Sequence, residues 1–302
     1  AINSGVECLG DIEEAIGSNP ISPTICLRSF MKVFFFIFTI IAIFNSYSVY
    51  AYDENDVEYF LKNSKCNKCD LSNYNFENSY VDQAIITNSN LQNTNFNNAK
   101  MANAQIKNSD FSNSTFFKTD MPTAIIENSN FSNVNFEEVN MTSSTIENSN
   151  FIKANFNLGK MYGVIIKSSV LDEAIMTNAN IQKSILSTSS FIKTDFKKSL
   201  LSLSLMDSTN LSYSDLSQTK ARGVNFSKSN LEFANLSYAS FRRSVFLKSN
   251  MKNIKYKAAN FYKSIFTSAD MSTITSENIH FKKAILCKTL MKDVIINRDC
   301  RN

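Results

Sequence analysis

IENSNFSNVNFEEVNMTSST fills residues 126–145, and IENSNF returns at residue 146. This return is one case of a stricter rule. Stepping by five from Leu71 gives Phe76, Val81, Ile86, Leu91, Phe96, Met101, Ile106 and Phe111, and the series continues without insertion or deletion to Ile296. Of its 46 positions only Ala221 and Ser276 are not large and apolar, in a chain that is 43% hydrophobic overall. The residue two before each site is usually small, as at Ala84, Ser89, Ala104, Ser129, Ala154, Gly159 and Ala259. The residue just before it is often Asn or Asp.

Five is neither a helical nor a strand period. Apolar residues five apart lie about 140° apart around a helix, and a half-buried strand alternates every two residues. The period fits a chain that turns a corner every five residues. Four such sides close one square coil, which explains why IENSNF returns after four steps. The cycle Phe-Phe-Met-Ile recurs at 111–126, 131–146 and 151–166, then moves by half a coil after about residue 221, to Phe241, Phe246 and Met251.

This pattern resembles the pentapeptide-repeat family, whose motif is roughly A(D/N)LXX. The resemblance covers residues 69–297. It implies an all-β solenoid, a right-handed quadrilateral β-helix with the bulky residue and the small residue two before it pointing inward. With coils about 4.8 Å apart, the repeats would build a rod on the order of 55 Å long. Each bulky side chain buried is worth roughly 1.5–3 kcal/mol before chain entropy opposes it. Ser276 is then the weakest core position, and Ala221 should leave the shaft underfilled.

A solenoid needs covered ends. DENDVEYFLKNSK, residues 53–65, places Val57, Phe60 and Leu61 at helical spacing with acids first and Lys last. That order suits the helix dipole, so a short N-terminal capping helix is expected within 52–68. The last residues, VIINRDCRN, show no helical pattern, and a terminal disulfide or a neighbouring chain is expected there, with 298–302 as a tail.

Upstream, Met31-Lys32 opens an apolar run from Val33 to Phe44. Twelve residues are too short for an ordinary membrane span and fit a signal peptide over 31–51, cut after Ala51. Residues 1–30 then read as an upstream translated extension. The alternative is a membrane anchor retained from Val33 to Tyr52. The expected location is outside the cytoplasm, periplasmic or extracellular.

A chain of that destination with Cys66, Cys69, Cys287 and Cys300 suggests disulfides, Cys66–Cys69 at one end and Cys287–Cys300 at the other. The C-x-x-C spacing also admits redox or metal readings. A structural metal wants four ligands, and the second cysteine pair lies some eleven coils away. A redox motif wants a thioredoxin-like setting, which the repeat does not offer. No cofactor is expected.

The chain has one His, no Trp, six Gly, three Pro and 25 Phe. His280 precedes a core position and should point outward without a nucleophile beside it. Glu137-Glu138 and Asp172-Glu173 are outward neighbours, more simply read as solvated carboxylates than as acid–base pairs. A non-enzymatic protein is therefore expected.

Two surface features stand out. Sampled once per coil just before the core residue, the series that starts at Ile85 includes Ile125, Ile165, Ile185, Leu205, Val245, Ile265 and Ile285. They form an aliphatic stripe that is either an association surface or the ordinary preference of a flat side for β-branched residues. The second feature is charge. Residues 71–180 carry a net −4 and residues 181–302 a net +12. The basic run Arg242, Arg243, Lys248, Lys252, Lys255, Lys257 and Lys263 contains no acid, and Lys282, Lys283, Lys288 and Lys292 follow it. It is either a solvated surface that discourages edge pairing or a patch for an anionic envelope partner.

Three functions follow. The first is an exported scaffold or protein-interaction rod, with an unknown protein partner or a second copy of itself. The second is a binder of anionic envelope surfaces through the basic half. The third, a nucleic-acid mimic like the gyrase-protecting members of the family, needs acidic surfaces and a cytoplasmic setting. The basic half and the leader both argue against it, so nucleic acid is disfavoured as a partner.

Overall fold

The computed structural model describes residues 52–274, 281–292 and 294–300. The expectations for the leader, for the upstream extension, for Ser276 and for His280 fall outside those residues. Within them the chain winds as a parallel β-solenoid of about 11 turns with one short helix.

Four sides repeat in each coil. Side 1 carries the core series Ile86, Ile106, Ile126, Ile146 and Ile166; side 2 carries Leu91, Phe111, Phe131 and Phe151; side 3, Phe96, Phe116, Phe136 and Phe156; side 4, Met101, Met121, Met141 and Met161. All of these are buried. Every side pairs in parallel with the same side of the next coil, as in Ile106↔Ile126 on side 1, Asp110↔Asn130 on side 2, Thr115↔Asn135 on side 3 and Lys100↔Asp120 on side 4. The backbone is satisfied coil to coil: Phe111 N–H donates to the Asn130 carbonyl at 2.8 Å and Asn130 N–H to that of Ser109 at 2.9 Å. Buried backbone groups need partners, and stacking supplies them without long strands.

Corners are made by backbone conformation. From Lys68 to Ser268, the residue two after each core position has positive φ, as at Asn93 (57°), Asn113 (61°) and Asn133 (58°). Asn tolerates this left-handed region better than most residues, and it dominates the position in the early coils. Gly223 takes it at φ 70°, and a Cβ there would stand 3.1 Å from a Leu203 methyl.

Side 1 differs in its early coils. It forms three-residue strands β1 (Lys65–Asn67), β2 (Ile85–Thr87), β3 (Gln105–Lys107), β4 (Ile125–Glu127), β5 (Thr145–Glu147) and β6 (Ile165–Lys167), one six-stranded parallel sheet. A ladder of buried serines follows these strands. Ser89 N–H donates to Ser109 Oγ at 3.1 Å, and Ser109 N–H to Ser129 Oγ at 3.2 Å. Each hydroxyl in turn donates to the carbonyl two residues back, as Ser109 does to Lys107 at 2.9 Å. At Ser189 the hydroxyl turns to the Ile166 carbonyl instead, and side 1 continues as isolated bridges as far as Ile285.

The shaft is filled by stacked aromatic columns. Phe111, Phe131 and Phe151 lie parallel at centroid distances of 4.7 and 5.0 Å. In the last coils the columns stand on sides 1 and 4, as Phe226–Phe246–Phe266 and Phe241–Phe261. This is the half-coil move visible in the sequence. Ala221, at the changeover, is buried.

Helix α1 (Glu54–Asn63) lies at the first coil. Asp53 caps it, accepting from Asn55 and Asp56 N–H, and Ser64 closes it in the left-handed region. Val57 and Phe60 are buried, and Phe60 meets Phe76 edge-on at 5.4 Å. Leu61, expected to cover the coil, is instead 44% exposed. Val57 and Phe60 cover the coil end, and Leu61 lies about 100° around the helix from Phe60, on the far flank of Val57.

The far end departs from the repeat. β7 (Asp270–Met271) pairs in parallel with β8 (Leu286–Met291), but β9 (Val294–Arg298) runs back antiparallel along β8. Thr289 pairs with Ile296, so the frame read through 297 ends in a hairpin rather than another side. The structure joins Cys287 to Cys300 across this hairpin and Cys66 to Cys69 beneath α1.

Candidate interaction surface

The aliphatic stripe is a real ladder. Ile165, Ile185 and Leu205 pair in register, as do Val245, Ile265 and Ile285. Neighbours above and below half-bury most of its members, and only Ile125 and Leu205 pass 40% exposure, at 43% and 42%. Most of its apolar area is thus spent within the ladder.

The carboxylate pairs serve the stacking. Glu138 pairs with Lys118 at 3.6 Å, and Glu173 lies between Lys153 and Lys193 at 3.9 and 3.8 Å. Asp172 accepts from Ser190 Oγ at 2.6 Å and Ile192 N–H at 2.9 Å, and Glu137 from Asn157 at 3.0 Å. Asp120 accepts from Lys100 Nζ at 3.0 Å and from Asn140 Nδ2 at 2.8 Å. Burial pushes its pKa up, but hydrogen bonds from Lys100 and Asn140 and the charges of Lys100 and Lys160 outweigh this, leaving it below the ordinary 3.8.

The basic run is divided by the winding. Arg242, Arg243 and Lys263 stand on side 4; Lys248 on side 1; Lys252 on side 2; Lys255 and Lys257 on side 3. Lys252 is committed to Asp270 at 3.0 Å. Burial raises the pKa of Asp270, and the stronger pull of Lys252 and Ser272 lowers it below its ordinary value. Lys257 lies over the Tyr238 ring at 5.9 Å.

What the winding assembles instead is a different basic set. On side 4 the residue after the core position reads Arg222, Arg242, Tyr262, Lys282, and the next reads Gly223, Arg243, Lys263, Lys283. The coil-to-coil bonds put them in register: Gly223 N–H donates to the Arg242 carbonyl, Arg243 to Tyr262 and Lys263 to Lys282. Arg242 and Lys263 both sit over the Tyr262 ring, at 5.3 and 5.5 Å. Among the described residues none of these six cations has an ion-pair partner, in contrast to Lys100, Lys107 and Lys118 of earlier coils. A run read along the chain mixes the sides, whereas stepping charges one coil at a time would have found Arg222 and aligned it with Arg242.

The family described as Pentapeptide repeats matches in eight copies, over residues 86–116, 126–157, 189–228, 209–246 and 225–255. Among solved structures, the chain resembles HetL from the cyanobacterium Nostoc, a pentapeptide repeat protein involved in heterocyst differentiation regulation. That match has 15% identity and a TM-score of 0.52, and covers 82% of this chain and 100% of HetL. It also resembles a trypsin-treated form of QnrB1, a plasmid-mediated fluoroquinolone resistance protein, with 19% identity and a TM-score of 0.50 over 53% of this chain and 82% of QnrB1. At such identities these likenesses concern the fold. No curated protein matches the chain.

Proposed function

Because the chain belongs to the pentapeptide-repeat family, we propose that it is a non-enzymatic interaction rod that works outside the cytoplasm. One observation carries this reading: each repeat bonds most of its backbone N–H groups to the neighbouring coils and the rest within its own turn, which leaves a rigid shaft that displays its outward side chains. A solenoid of this kind offers a long, regular binding surface rather than an enclosed catalytic cleft. Export is supported by the leader-like segment 31–51 and by the two cysteine pairs, which suit an oxidising compartment. The partner is a protein or an anionic component of the cell envelope.

The test is fractionation of the producing cell combined with photo-crosslinking from outward positions such as Ile125 and Leu205. Export predicts a mature chain beginning at Tyr52 in the envelope or external fraction, crosslinked to a discrete neighbour. A chain confined to the cytoplasm would overturn the location. A purified protein that turns over a substrate would overturn the non-enzymatic reading.

A further inference from the structure

Side 4 of the last coils combines two features. The first is the pair of cation columns already described. Successive coils stand about 4.8 Å apart, so the columns present one or two positive charges at each step along the rod. They include three arginines, Arg222, Arg242 and Arg243, whose planar forks match phosphate oxygens in a bidentate way that lysine does not. Tyr262 takes one step of the first column and holds Arg242 and Lys263 over its ring. The described residues of this side from Leu200 onward include no Asp or Glu.

The second feature is a basin. Where side 4 reaches the terminal hairpin, a cavity of about 740 Å³ opens beside the end of β9, lined among others by Lys263, Phe281, Lys282, Lys283 and Arg298. The one acid lining it, Asp299, is bonded to Arg298 at 2.9 Å, and Arg298 also donates to the Ala284 carbonyl at 2.9 Å. The columns therefore lead along the rod into a concave, positively charged end.

We infer that side 4 is a binding track for an extended phosphate-bearing polymer that lies along the rod axis and ends in the basin. This rests on the reading of the protein as a binding rod and specifies one of its partners by chemistry. Charge complementarity selects an anion. The column geometry selects a linear one, because the cations follow the axis in two adjacent columns on one side. The concave end selects a narrow chain over a flat lipid surface, which cannot enter it. The density of positive charge selects phosphate over a polymer with one carboxylate per sugar.

The probe is fluorescent long-chain inorganic polyphosphate, titrated with the full chain and read by anisotropy at several salt concentrations. Saturable binding that weakens with salt is expected. The variant Arg222→Gln/Arg242→Gln/Arg243→Gln/Lys282→Gln should bind on the order of tenfold or more weakly, with the salt slope reduced by about 0.7 per cation removed. A variant of equal charge on other sides, Lys228→Gln/Lys248→Gln/Lys255→Gln/Lys257→Gln, should stay within about twofold of the parent, since it removes none of the aligned contacts. Should the first variant misfold, lysine acetylation of the unaltered protein gives the same answer. Polyphosphate should shield Lys263, Lys282 and Lys283 and leave Lys255 and Lys257 open. Absence of binding at low salt, equal loss in both variants, the reverse shielding pattern, or capture by anionic vesicles that polyphosphate cannot displace would each overturn the inference. If polyphosphate fails to bind while the protein crosslinks persist in the envelope fraction, the track is wrong and the interaction rod stands.

Discussion

Phe131 stands in the middle of the stacked column Phe111–Phe131–Phe151. It is fully buried, stacked on Phe111 at 4.7 Å and on Phe151 at 5.0 Å, and touched by Phe136 at 5.7 Å. Phe131→Ala removes a complete ring from a site that cannot collapse, because coil spacing is fixed by backbone bonds above and below. Buried Phe→Ala changes cost about 3–5 kcal/mol, and two lost stacking partners place this site toward the upper end. Tyr80 is the control: an aromatic of similar size at 80% exposure, whose replacement by Ala should cost less than about 0.5 kcal/mol. Denaturant unfolding gives the totals. Because each coil contacts only its neighbours, hydrogen exchange should rise first at the amides of coils 111–126, 131–146 and 151–166, and much less near Phe246. Equal costs at Phe131 and Tyr80, or a loss below about 1 kcal/mol at Phe131, would refute the inward-column reasoning.

Further outcomes follow from single side chains. Ser129→Ala leaves the Ser109 N–H without its acceptor and should cost about 1–3 kcal/mol in denaturant unfolding. By contrast Ser199→Ala, which removes a buried hydroxyl that has no partner among the described residues, should be neutral or stabilising by about 1 kcal/mol. Asp120 has its folded pKa below the unfolded value, so its contribution is full above the ordinary 3.8 and lost as pH falls through the folded pKa; the thermal midpoint of Asp120→Asn should fall less steeply in acid than that of the parent, and parallel curves would contradict this. Cys300→Ser opens a loop with a sequence separation of 13. Closing such a loop is worth about 3 kcal/mol, so exchange across β9 should quicken on the order of 100-fold while the Phe136 coil is unchanged.

The five-residue frame made the shaft legible from the sequence alone, because every bulky residue has one place to go and a single slip would turn all later ones outward. Asp53, Val57 and Phe60 were legible as a helix for the same reason: charge order and apolar spacing agree. The corners were present in the letters but not extracted. Asn93, Asn113 and Asn133 mark the left-handed position, a signal masked by the general abundance of Asn. The serine ladder looked only like small residues beside large ones, although its hydroxyls are what the amides of side 1 bond to. The hairpin at β9 broke the frame because Ile296 has the right letter at the right step, and only the chain's reversal after Met291 shows that it pairs with Thr289. The basic run Arg242–Lys263 spans four sides because proximity along the chain is not proximity on a coil: Arg242 lies nearer in register to Arg222 than to Lys252.

The square coil is tested most directly by a distance across many turns. Gln105 and Leu205 are both exposed on side 1 and stand five coils apart in one ladder. Spin labels there, read by pulsed electron paramagnetic resonance, should give one narrow distribution near about 24 Å, five rises of about 4.8 Å. A broad distribution, or a centre far from that value, would show that the chain does not climb one coil for every four repeats.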